Sequence, residues 1–122
     1  MKIQRLKNNF AVCKVKSVSD IDFSDEFCFV GKTDEEISLV CTEEHIPENT
    51  VECEKGWSAF RICGTLDFSL VGILSKISAV LAENNIGIFA VSTYNTDYIL
   101  TKSRDFDAAA DALMCAGYEI TE

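Results

Sequence analysis

The strongest constraint on this chain is the order of patterns in its second half. In "LVGILSKISAVLAEN", residues 70–84, Leu70, Ile73, Leu74, Ile77, Val80 and Leu81 recur at helical spacing and leave one polar face. Before it, "SAFRICG" (58–64) alternates as a strand does; after it, "IGIFAVST", a turn at 94–97 and "DYILTK" read as a β-hairpin. A second helix is expected from about Ser103 to Ala116, with Ser103 as its cap and Asp105 and Asp107 at its positive end. Gly117 suits the position after its last turn, and Phe106, Ala109, Ala110 and Leu113 form its core face. A short strand, "YEI", closes the series. Strand, helix, strand, strand, helix, strand predicts an α+β, ferredoxin-like βαββαβ fold, an antiparallel sheet with both helices on one face.

The first half is less regular. "KIQRL" and "FAVCKV" read as strands and "FCFVG-KTDE-EISLVC" as another hairpin. "KSVSDIDFSDE" has too few apolar residues for a full helix, and "TEEHIPENT" holds a helical turn or two at most before "VECEKGW". Laying one hairpin on the other at an offset of 61 residues pairs Phe29-Val30 with Ala90-Val91 and Lys32-Thr33-Asp34-Glu35 with Thr93-Tyr94-Asn95-Thr96, a match of pattern in which Val30 and Val91 alone are identical. This predicts a trimmed copy of the motif over 1–55 and a complete copy over 56–122; the alternative is one domain with an unrelated N-terminal hairpin.

Length and charge bound the function. A chain of 122 residues buries one sizeable core or two small halves. A net charge of -9, from 20 acidic and 11 basic residues, argues against nucleic acid and anionic membranes, whose binding depends on Lys and Arg. Lys2, Arg5 and Lys7 alternate with Ile3 and Leu6 and form no apolar run of the signal or membrane-spanning kind, so a cytoplasmic protein is expected. Six cysteines (13, 28, 41, 53, 63 and 115), four of them in strand-like runs and none in a C-x-x-C pair, are expected to be free thiols rather than disulfides or zinc ligands.

Three chemistries are open to residues of these types. Cys41 and the single histidine, His45, make a nucleophile and base only if a site assembles around them, and a surface histidine is the simpler reading. Glycines 64 and 72 have neither the spacing nor the following Lys-Ser or Lys-Thr of a nucleotide-binding loop. The segment Asp67-Phe68-Ser69, however, leads from a strand into a helix whose first N-H groups, near Ser69, Leu70, Val71 and Gly72, suit a carboxylate. In the predicted fold this loop approaches the strand near Val91, and Asn95, Asp97 or backbone carbonyls offer acceptors for an amine. An α-amino acid carries both groups. Equally, Asp67 and Ser69 serve as caps, Gly72 permits close packing, and Asn95 and Asp97 stabilise their turn.

These residues resemble a known family. "GWSAFRICG", "LDFSLVGIL", "AENNIGIFAVSTYNTDYIL" and, in the first half, "FAVCKV" and "TDEEISLVC" are similar to the ACT domain, a small βαββαβ module that senses amino acids. The likeness extends to the short tandem-ACT proteins that resemble the regulatory part of aspartate kinases, and to the tandem-ACT arginine sensors of animal growth signalling. It covers most of the chain; only Val91 stands where Ile is more usual.

The resemblance implies amino-acid binding at an interface between ACT units. The positions carried over are Phe68, Ser69, Leu70, Val71, Gly72 and Ile73 at the helix start, and Ser92, Thr93, Tyr94, Asn95, Thr96 and Asp97 on the hairpin. Asp97 is the carboxylate expected to hold a cationic group. The first half lacks an obvious first helix, and no kinase, dehydratase or dehydrogenase domain is expected beside it, so a signal would pass to a regulated partner protein or between subunits of a homodimer. The expectation is thus a non-catalytic sensor of an amino acid or similar zwitterion, without cofactor or metal. Its rivals are an interaction or oligomerisation module with a vestigial pocket and a small enzyme built on Cys41 and His45.

Overall fold

The structure, a computed structural model, describes residues 1–64 and 72–122. Its strands are β1 (Lys2–Arg5), β2 (Phe10–Val15), β3 (Cys28–Lys32), β4 (Ile37–Thr42), β5 (Thr50–Ile62), β6 (Ile88–Ser92), β7 (Asp97–Lys102) and β8 (Glu119–Thr121). Its helices are α1 (Ile73–Glu83) and α2 (Phe106–Cys115), with single 3-10 turns at Val18–Asp20, Glu43–His45 and Ser103–Asp105. The chain forms two compact units, Met1–Lys7 with Ser58–Glu122, and Asn8–Trp57.

In the larger unit the expected βαββαβ order runs from the end of β5 to β8. β6 pairs with β7, β7 with β5, and β1 lies between β5 and β8. β1 runs antiparallel to β5, with Ile3 opposite Ile62, and parallel to β8, with Ile3 opposite Ile120. Apolar residues of one sheet face, Ile3, Phe60, Ile62 and Ile99, meet Ile77 and Leu81 of α1 and Phe106, Ala109, Ala110 and Leu113 of α2 in a single core. The two helices therefore cover one face, and all four core residues expected on α2 are buried. Phe60 and Phe106 anchor this packing with ring centroids 4.3 Å apart.

Both helices end in the same hydrogen-bonded device. After α2, the Tyr118 N-H bonds the Leu113 carbonyl and the Gly117 N-H that of Met114, with Gly117 at φ +100°. After α1, the Ile86 N-H bonds Leu81 and the Asn85 N-H bonds Ala82, with Asn85 at φ 59° and Ile86 packed in the core. These are Schellman stops, satisfying carbonyls that the last turn leaves unpaired.

The helix starts differ from the sequence reading. Of the helix expected over 70–84, Leu70 and Val71 lie outside the described residues; Gly72, at φ 83°, precedes the first helical residue, Ile73. Ser103 does not cap α2. Its hydroxyl bonds that of Ser58 at 2.9 Å, and a 3-10 turn comes before the helix, because the cross-chain hydroxyl competes for the side chain a cap would need.

The smaller unit, considered alone, has sheet order β3-β4-β2-β5, all antiparallel. Ala11, Cys13, Val15, Ile21, Leu39 and Cys41 form its core. Its order is strand, 3-10 turn, strand, strand, 3-10 turn, strand: the sequence of the larger unit with each helix reduced to one turn. The polar segments lacked the apolar stripe that would repay a longer helix.

The hairpin offset needs correction. β3 and β4 begin at 28 and 37, β6 and β7 at 88 and 97, and the turns close with Thr33 N-H to Glu36 carbonyl and Thr93 N-H to Thr96 carbonyl. The hairpins thus correspond at an offset of 60, not 61. A slip of one residue exchanges the two faces of a strand, so the offset of 61 sets residues of opposite faces against each other. At the right offset Thr33 matches Thr93, and each hydroxyl accepts the backbone N-H of the residue three further on, at 3.2 and 3.3 Å.

Candidate functional site

A cavity of about 330 Å³ lies in the larger unit, lined by Gln4, Arg61, Ile62, Cys63, Gly64, Thr93, Asn95, Thr96 and Tyr98. Three local features build it. Gln4 and Arg61 are directly opposite on β1 and β5, so both side chains leave the sheet on the face away from Ile3 and Ile62, which point to the helices. Tyr98 follows the same alternation on β7, next to the core residue Ile99. The β6–β7 turn is then drawn in by Thr96, 7% exposed, whose hydroxyl donates to the Ile62 carbonyl at 2.7 Å.

Arg61 supplies the positive charge. It donates to Gln4 Oε1 at 2.9 Å, and its guanidinium carbon stands 5.9 Å from the Tyr98 ring centroid, with Nη1 3.5 Å from the Tyr98 hydroxyl. A guanidinium held in this way keeps a planar set of donors oriented for a carboxylate or similar anion. Within the turn, Thr93 is committed locally: its hydroxyl donates to the Thr96 carbonyl at 3.0 Å and accepts the Thr96 N-H.

Of the twelve positions singled out from sequence, the structure brings Thr93, Asn95 and Thr96 together in this cavity. Ser92 and Asp97 are opposite each other in the β6–β7 register and their side chains bond at 2.6 Å. By strand alternation they occupy the helix-side face, opposite to that of Tyr98. Tyr94 projects from the turn with 80% of its surface exposed. Gly72 and Ile73 stand at the start of α1, while Phe68, Ser69, Leu70 and Val71 lie outside the described residues. The sequence reading did not select Arg61, Gln4 or Tyr98. A lone arginine inside the apolar strand "SAFRIC" was the available signal for the first; for Gln4 there was none, because its partner strand is remote in sequence.

The model of the ACT domain matches residues 52–114, just over half of the chain. The chain belongs to the ACT-domain family. ACT domains are regulatory, ligand-binding modules, and solved structures agree on the fold. An Agobacterium tumefaciens protein is 31% identical with a TM-score of 0.84, the match covering 98% of this chain and 90% of that one. A Vibrio cholerae protein of unknown function is 21% identical, TM-score 0.71, covering 91% and 85%. Clostridium acetobutylicum aspartate kinase, an allosteric enzyme, is 18% identical with a TM-score of 0.67; the match spans 93% of this chain and 34% of the kinase. No curated protein matches.

In this ACT protein Cys41 is buried in the core of the smaller unit, and His45 is held by its neighbours. His45 Nδ1 is 2.9 Å from the Thr42 hydroxyl and 3.6 Å from Asp25 Oδ2, a carboxylate that also accepts the Thr42 N-H at 2.9 Å. Burial first, then the Asp25 charge, pushes the Cys41 thiol up to about 11, the reverse of what an ionised nucleophile requires. Among the described residues no group of three His, Cys, Asp or Glu side chains is placed to hold a metal ion, and no helix is long and apolar enough to cross a membrane.

Proposed function

We propose that this ACT protein is a non-catalytic sensor that binds an amino acid or a similar zwitterion in the cavity beside Arg61. The observation that carries the reading is one guanidinium, oriented by Gln4 and Tyr98, in a cavity of about 330 Å³ otherwise lined by small polar side chains and strand-end backbone. That volume falls at the low end of ligand sites, which suits a single amino acid. The ligand carboxylate meets Arg61, and its amine finds acceptors among the Asn95 side-chain oxygen, the Tyr98 hydroxyl and strand-end carbonyls. The helix-start positions Phe68 to Ile73, and Asp97 with Ser92 on the helix-side face, form a second contact set for a ligand held between ACT units.

The reading includes a trimmed ACT copy over 1–55 and a complete one over 56–122, a cytoplasmic location and a regulated partner protein. It also includes a homodimer. Among the described residues β6 pairs with β7 alone, so its outer edge offers a template for a second sheet. Binding regulates only if the ligand contacts two arrangements of the units differently. The same free edge supports the alternative, an interaction or oligomerisation module with a vestigial pocket.

The test is calorimetric titration of the purified protein with each of the twenty amino acids, repeated on Arg61→Met and Asp97→Ala. A hydrogen-bonded charge contact of about 1.5–3 kcal/mol predicts that Arg61→Met weakens the bound amino acid roughly tenfold to a hundredfold. Loss of binding in Asp97→Ala with full binding in Arg61→Met would move the site to the other face. Absence of binding to any amino acid would favour the interaction module.

A further inference from the structure

The smaller unit carries a feature that amino-acid sensing does not use. Cys13 of β2 and Cys53 of β5 are directly opposite in antiparallel register, with their sulfur atoms 3.5 Å apart. Opposed residues of an antiparallel pair have Cα atoms about 4.5 or 5.5 Å apart, both inside the span of roughly 4.4–6.8 Å that a disulfide bridges. Closing the bond therefore asks for side-chain rotation, with the strands left in register. The pairing is irregular on both sides of this pair, between Phe10 and Val12 and between Lys14 and Val15, which leaves the two strands locally adjustable.

The two thiols differ in access. Cys53 is exposed, whereas Cys13 is 3% exposed and belongs to the core with Cys41. We propose that Cys13 and Cys53 form a peroxide-responsive thiol pair, Cys53 being the sulfur that meets oxidant and Cys13 the one that resolves it into a cross-strand disulfide.

The oxidant is a hydroperoxide, of which hydrogen peroxide is the simplest. The Cys53 thiolate attacks one peroxide oxygen, forming S–O as O–O breaks; the leaving oxygen takes up the thiol's proton and departs as water. Cys53 is then a sulfenic acid, oxidised by two electrons. The Cys13 sulfur attacks the Cys53 sulfur, S–S forms as S–O breaks, and the departing hydroxide takes the Cys13 proton to leave as a second water. Two thiols and one peroxide give one disulfide and two waters.

The environment fits this order of events. Burial raises the Cys13 thiol far above its ordinary value, and the hydrogen bond and negative charge of Cys53 raise it further. Cys13 is therefore a poor first nucleophile. Oxidation of Cys53 to a neutral sulfenic acid removes the contribution of its charge.

The test exposes the full chain to stoichiometric hydrogen peroxide and maps linked peptides by mass spectrometry. Trypsin leaves Cys41 and Cys53 on one peptide, residues 33–55, so a glutamate-specific protease, cutting after Glu43, Glu44, Glu48 or Glu52, is needed to separate them. The expected product is one intramolecular link between the Cys13 and Cys53 peptides, reversed by dithiothreitol. In Cys13→Ala the same exposure gives a Cys53 sulfenic acid trapped by dimedone, and in Cys53→Ser the Cys13 thiol stays reduced. A link at Cys28–Cys41, the other directly opposed pair, would overturn the assignment. So would wild-type protein whose Cys53 stays a thiol or passes to sulfinic acid without a link.

Discussion

Thr96→Val separates the part of Thr96 that is packing from the part that positions the site. The substitution keeps shape and volume and removes one hydroxyl, the donor 2.7 Å from the Ile62 carbonyl that draws the β6–β7 turn against the end of β5. Thr96 is 7% exposed, so little water is available to replace the lost bond. Losing a buried partner costs about 1–3 kcal/mol. With a urea dependence of roughly 2 kcal/mol per molar, the middle of that range moves the unfolding midpoint down by about 1 M, and Tm falls by roughly 5 °C or more. Urea melts followed by circular dichroism measure the midpoint, and an unchanged slope shows that the loss is native-state stability. The cavity should suffer as well, because the same turn carries Asn95 into it. A midpoint within about 0.2 M of wild type, hence a change under about 0.5 kcal/mol, would show that the hydroxyl does not hold the turn and would remove the physical basis for this cavity.

Gly117→Ala tests the stop of α2. No atom lies within 4 Å of the added Cβ, so the whole cost is backbone conformation at φ +100°, about 1–2 kcal/mol by chemical denaturation. Gly87→Ala, with equal space and no left-handed φ, should by contrast be neutral or stabilise by up to about 1 kcal/mol, and equal losses in both would refute the conformational account. The thiols set an alkaline limit. Burial raises Cys13 and Cys41 above the ordinary 9.0, Cys41 to about 11, so the unfolded chain releases these protons first. Stability is therefore whole below pH 9 and falls as pH rises toward 11, and Cys41→Ala should flatten that fall in urea melts taken between pH 8 and 11.

Which parts of this molecule were legible follows from how far each interaction reaches along the chain. The α2 face needs only residues three and four apart, so Phe106, Ala109, Ala110 and Leu113 were readable and are buried. The hairpin of β6 and β7 is equally local. β1 is a different case: "KIQR" announces a strand, yet nothing in it encodes that Gln4 will stand opposite Arg61, because that register is set by Ile3 sharing one core with Ile62, Phe106 and Leu113. The Gln4 side of the cavity therefore depends on a strand whose partners are long-range.

The turn residues show a subtler limit. Thr93, Asn95, Thr96 and Asp97 were all recognisable as polar turn chemistry, but alternation decides which face each one serves. Asp97, the carboxylate favoured from sequence, bonds Ser92 on the helix side, and its neighbour Tyr98 reaches the cavity instead. Reading hairpin equivalence one residue out hid the Thr33–Thr93 match in the same way, since both errors are errors of parity. The two faces of this sheet offer opposite charges, Arg61 on one and Asp97 on the other. A ligand confined to one face meets only one of them, and a zwitterion contacting both needs an edge or a second unit. The separation of effects between Arg61→Met and Asp97→Ala therefore reports on which face binding occurs.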